Sequence, residues 1–244
     1  MYHSVTFGSK NSYADWHLVP DGRPVIAMPE VKTTMVEIPG SSGLLDLSES
    51  LTKYPIYSNR SGSITFHVLN DVEPWQRIYS NIATYLNGHE RTLILDDDPE
   101  YYYKGRYAVE WTHNNDGTWS DVEISYSLDP YKYYFQTSVQ EAPSLYKDIQ
   151  VSNNTGITRQ LANEWSIGTV PVVPEFIVSN VSGSGVNITL LNAELLINKT
   201  VTINSNGDYK FYDMIFSNNS GANICNLTIR GYGKVNIVFR RMAL

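Results

Sequence analysis

The chain has 244 residues, enough for one large domain or two small ones, and either can bury a core without metals or disulfides. Hydrophobic residues make up 42% and charged residues 18%, a globular balance, and a single Cys excludes a disulfide-stapled scaffold or a multi-cysteine metal site. The net charge of −7 argues against a phosphate-backbone binder, which carries the opposite sign or a dense basic stripe.

The charge is uneven along the chain. Residues 1–140 carry a balance of −8 and residues 141–244 a balance of +1. Tyr falls from 14 to 4 across the same point, while Asn rises from 7 to 14. Three independent counts shift together, so the expected organisation is two domains, 1–140 and 141–244, joined within 138–150. The alternative is one large β domain with an uneven surface. Met1-Tyr2-His3-Ser4-Val5 has no basic stretch followed by an apolar run, so no signal peptide is expected. No apolar run approaches the length of a membrane span, and the chain reads as soluble and of intracellular origin.

In chain order, Ser63 to Leu69 alternates polar and apolar residues, as a half-buried strand does. Asp71 is a potential N-cap, Pro74 falls in a first turn, and Trp75, Ile78, Ile82 and Leu86 recur every three or four residues. With Asn87-Gly88 as a stop, this predicts a helix over 72–87 packed across a sheet. Arg106 to Trp111 and Asp121 to Tyr126 alternate around Asn114-Asn115-Asp116-Gly117-Thr118, which predicts a hairpin. Ala142-Pro143-Ser144 breaks regular structure, Asn153-Asn154-Thr155-Gly156 reads as a turn, and Val170 to Pro174 reads as an edge strand or extended crossover. Val186 to Leu190, Thr200 to Ile203 and Val235 to Phe239 alternate again, with Asn206-Gly207 and Ser217 to Gly221 as turns. Strands at this spacing indicate sandwiches or barrels.

Catalytic constellations are sparse. The five His residues show no metal-binding spacing, and His67 is expected on a strand surface. Asp96-Asp97-Asp98 with Glu100 is the densest acid cluster, but three consecutive Asp side chains do not converge on one ion, so a solvated turn is the favoured reading. Cys225 sits in an alternating stretch and reads as a reduced, buried thiol. Gly40-Ser41-Ser42-Gly43 is not a nucleophile elbow, and Gly231-Tyr232-Gly233 is not a phosphate cradle. Trp165 could stack on a sugar, although a buried anchor is favoured. No catalytic, cofactor or metal residue is assigned.

Residues 1–135 resemble, in the order of their features, the distal tail proteins of long-tailed bacteriophages. The resemblance runs through Val5 to Ser12, the strand-turn Val36 to Asp46, Tyr57-Ser58-Asn59-Arg60 before a strand, and the Trp75 to Leu86 helix. It continues through Leu93 to Tyr103 with its Asp97-Asp98-Pro99 step, and ends on Asp129-Pro130-Tyr131. Glu100 stands where that family often has glycine. Asn153 to Gly156, Pro171 to Val178 and Ile203 to Asp208 are similar to the family's second domain.

The resemblance implies a mainly β protein: an N-terminal β-sandwich-like domain with one packed helix, then a C-terminal galectin-like β-sandwich. It implies a mechanical role in phage or prophage, with a homo-hexameric ring at the virion tail tip, made in the host bacterial cytoplasm. One face would meet the tail tube protein and the other a tail-tip or tail-associated lysin protein. The outer domains would hold receptor-binding proteins. No cofactor, specific nucleic-acid binding or membrane insertion is implied. DNA would pass a central hole, and Asp96, Asp97, Asp98 and Glu100 are candidate channel or interface acids on an acidic wall that repels phosphates. Two other readings compete: a carbohydrate-binding sandwich using Trp165, and a tail-associated hydrolase using two acids such as Asp97 and Glu100.

Overall fold

A computed structural model describes residues 3–68, 74–113, 120–135, 144–161, 170–217 and 225–244. The chain is mainly β and forms two β-sandwich-like units. The first comprises most of the chain up to Phe135 and the second most of it from Gln136 onward.

The first unit opens with β1 (Val5–Phe7), β2 (Lys10–Asn11), α1 (Ser12–Trp16) and β3 (Leu18–Pro20). The helix α1 is too short for a periodicity to reveal it. Asn11 starts it by accepting hydrogen bonds from the Tyr13 and Ala14 N–H groups, both at 3.0 Å. A hairpin of β4 (Met35–Glu37) and β5 (Leu44–Asp46) follows, then β6 (Arg60–Val68).

Next comes α2 (Trp75–Leu86). It is shorter than the expected 72–87. Pro74 adopts an extended ψ of 125° and precedes the helix instead of entering its first turn. Asp71 lies outside the described residues. At the other end Asn87 is extended, and the positive φ needed for the stop falls on Gly88. Ile78, Ile82 and Leu86 are buried, as the stripe predicts.

The unit closes with β7 (Glu90–Leu95), β8 (Tyr101–His113), β9 (Ser120–Leu128) and β10 (Lys132–Tyr134). Strands β8 and β9 pair from Gly105↔Leu128 to His113↔Ser120, so the expected hairpin is present; its turn lies outside the described residues. The sheet order is β2-β1-β7-β8-β9-β6-β3, with β10 added to β8. Phe7, Phe66, Tyr107, Val122 and Ile124 meet α2 in one core.

The second unit is organised by two long antiparallel strands, β11 (Ser144–Gln160) and, after β12 (Glu175–Ser179), β13 (Val186–Asn192), β14 (Ile197–Ile203) and β15 (Gly207–Lys210), the strand β16 (Cys225–Phe239). The first half of β16 pairs with β13 and the second half with β12. Between them Gly231 has φ +106°, and a Cβ there would lie 2.0 Å from the Gly185 carbonyl oxygen. Glycine is therefore required where the sheet curls over its core of Phe176, Ile188, Phe216, Leu227 and Ile237. Asn153 to Gly156 form no turn. They lie within β11, at a shift in its register against β16. A bulge and a turn demand similar local residues, which is why the sequence reads either way. Val172 makes the isolated bridge to Phe216 that an extended, proline-flanked crossover allows. Among the described residues, no helix is long and apolar enough to cross a membrane.

Candidate functional site: an exposed arm and its root

The acid cluster does not gather into a site. Asp96 accepts from the Ser4 N–H at 2.8 Å, with the His3 ring at 3.3 Å. Asp97 takes the Arg23 Nε at 2.7 Å, and Asp98 takes the Lys132 Nζ at 2.7 Å. Three successive carboxylates thus tie the β7–β8 turn to three separate parts of the first unit. Much of their charge is matched locally. Among the described residues, no group of three or more His, Cys, Asp and Glu could hold a metal. Trp165 lies outside the described residues.

His67 is a surface residue of β6, as expected, and lies between two carboxylates. Its Nδ1 is 2.6 Å from Asp121 and its Nε2 3.0 Å from Asp21. The hydrogen bond with Asp121, helped by that with Asp21, raises its pKa above the ordinary histidine value against a smaller opposing effect of burial. Cys225 is buried, and burial pushes its thiol up to about 11, so it is protonated at neutral pH and a poor nucleophile.

The most unusual surface is an arm built on residues 24–51. Among the described residues, eleven of the seventeen exposed large apolar side chains lie between Val25 and Ile56, so the patch is concentrated in one segment. The pairing Met35↔Asp46, Val36↔Leu45 and Glu37↔Leu44 assigns the hairpin two different faces. Val36, Ile38, Leu45 and Leu47 fall on one, and Met35, Glu37, Leu44 and Asp46 on the other. The first is wholly aliphatic and the second carries two acids. Further down, the Ser58 N–H donates to Glu30 and the Lys32 N–H to Ile56, closing the base of the arm.

The arm's root is fastened by residues to which the sequence reading gave no functional role. Arg60 is only 1% exposed and sits on the core-facing side of β6, where alternation calls for an apolar residue. Its Nε donates to the Pro130 carbonyl at 2.8 Å and its Nη1 to the Ala27 carbonyl at 2.9 Å. Its guanidinium carbon lies 5.3 Å from the Tyr103 ring centre. The Ala27 N–H donates to the Tyr126 hydroxyl at 3.1 Å. Tyr126 pairs with Gly62 across β9 and β6, and only a glycine gives it passage: a Cβ on Gly62 would lie 2.5 Å from the Tyr126 hydroxyl. The one sequence signal was an Arg and a Gly at positions in register with the apolar side of an otherwise alternating strand.

No family model matches the chain, and no curated protein matches it. Among solved structures, it is similar to the SPP1 Dit protein, gp 19.1, described as a paradigm of the hub adsorption apparatus in phages that infect Gram-positive hosts. The TM-score is 0.63 at 14% sequence identity, and the match covers 100% of each chain. The fold is that of a phage distal tail protein. The match spans both units, including the second, where the resemblance in sequence rests on fewer residues.

Proposed function

We infer that the chain is a structural hub of a phage tail tip, a ring-forming protein that joins the tail tube to the host-adsorption apparatus. The observation that carries this reading is the apolar face of the arm. Val36, Ile38, Leu45 and Leu47 are all exposed, although each is a residue that a lone domain normally buries. A face of this kind that meets a different surface on a second copy makes a head-to-tail contact, and such contacts form a ring when the rotation between copies closes. The full-length likeness to a hub protein supports the same reading. Six copies, a tail tube protein on one side and a tail-tip or lysin protein on the other are the arrangement proposed, with receptor-binding proteins held by the second unit. The protein would be made in the host bacterial cytoplasm and act in the virion tail, of a phage or a prophage.

A mechanical role is also favoured over hydrolysis by the fate of the acids. Of the two acids that reading used, Asp97 is bound to Arg23, and Glu100 lies exposed in the β7–β8 turn. Asp96, Asp97, Asp98 and Glu100 are the proposed channel or interface acids, and Glu37 and Asp46 on the arm's second face are further candidates. The experiment is electron microscopy of the purified chain over a range of concentrations. Closed rings with a central hole are expected. A chain that stays monomeric throughout overturns the ring.

A further inference from the structure

The arm is uncovered by apolar contacts, yet it is attached at its root by a specific set of polar ones. Arg60 grips the carbonyl of Ala27, and Tyr126 accepts from the N–H of the same residue. One peptide-bonded residue is thus held on both its donor and its acceptor. The two gripping side chains come from adjacent strands, β6 and β9, whose register is fixed by Gly62↔Tyr126 and Arg60↔Leu128. Arg60 also grips Pro130, beyond the end of β9, so its guanidinium cannot shift toward the arm without releasing a second carbonyl. Its remaining Nη2 is buried with no acceptor among the described residues. A buried guanidinium incompletely satisfied is costly, and its retention at this point calls for a use.

We propose that Arg60 and Tyr126 form a clamp on Ala27 that fixes the direction in which the arm leaves the first unit. The arm is thereby presented already oriented to a second copy, a step that rests on the ring reading; the clamp itself does not. Two further contacts brace the approach to the root. Asp21 meets His67, and Arg23 meets Asp97. Ordering the root within the free chain removes part of the entropy loss that assembly would otherwise carry. A hairpin joined only by a flexible stem would lose that freedom on every association event.

The test is intramolecular. Nitroxide labels are placed at Ser41→Cys on the arm's tip and Gln76→Cys on α2, in a Cys225→Ala background, and the distance distribution is measured by double electron–electron resonance. At a concentration where the chain is monomeric, the parent gives one narrow peak. Tyr126→Phe removes the acceptor, Gly62→Ala displaces the Tyr126 hydroxyl without touching the arm, and Arg60→Lys keeps the charge but cannot span two carbonyls. Each is expected to broaden the distribution at least twofold. An unchanged width in either Arg60→Lys or Tyr126→Phe overturns the clamp. A parent protein that never forms rings breaks the hub reading but leaves these distances readable, so the two failures are distinguishable.

Discussion

The first unit contains two antiparallel hairpins built on different terms. The β8–β9 hairpin alternates strictly, and its inward side chains Tyr107, Val109, Val122, Ile124 and Tyr126 are buried in the unit's own core. The β4–β5 hairpin is exposed on both faces, and its aliphatic face of Val36, Ile38, Leu45 and Leu47 has no cover from the unit's own core. The strand geometry is the same in both. What differs is whether the chain supplies the covering layer. The first hairpin serves the unit's own core and the second stays exposed, so on the proposed assembly role a substitution in each should register in a different measurement.

The largest stability effect belongs to the covered sheet. Phe66 is fully buried beside Phe7, with ring centres 6.3 Å apart. Phe66→Ala is expected to cost about 3–5 kcal/mol, read by chemical denaturation. At the root, Tyr126→Phe removes one neutral hydrogen bond and is expected to cost about 1 kcal/mol.

His67 gives a smaller, pH-dependent effect. Its folded pKa is raised, so its protonated form is stabilised by Asp121 and Asp21. That contribution is fully present below the unfolded histidine value of about 6.5 and is lost as pH rises through the raised folded value. The difference in melting temperature between the parent and His67→Gln should therefore be greatest in mild acid and shrink toward alkaline pH. A constant difference across that window would assign His67 a purely steric role. The smallest stability effect belongs to the arm: Val36→Ser with Leu45→Ser is expected to change the stability of the free chain by less than about 0.5 kcal/mol per site.

The same contrast explains what the sequence made legible. Alternation located the β8–β9 hairpin and the strand containing Phe66, because those residues obey a local rule that the fold also obeys. The apolar stripe Ile78, Ile82 and Leu86 located α2, but its start moved past Pro74, whose extended backbone local patterning does not specify. The divergence of Asp96, Asp97 and Asp98 was legible too, since three consecutive carboxylates in a turn do not converge on one ion. The arm was half legible. Val36 to Asp46 was recognised as a strand-turn, yet an apolar residue looks the same whether its cover is its own core or another molecule. Arg60 was named only as the lead into a strand, and Gly62 not at all, because their meaning depends on Ala27, Pro130 and Tyr126, which are distant in sequence and converge only in the fold. Asn153 to Gly156 misled for a local reason: turn-forming residues also serve a bulge.

The central claim is that the uncovered hairpin face is an assembly surface. Mass photometry of the parent beside the Val36→Ser, Leu45→Ser double variant tests it most directly. The account predicts a discrete ring-sized species for the parent and a folded monomer for the variant. Equal assembly of the two proteins would contradict it.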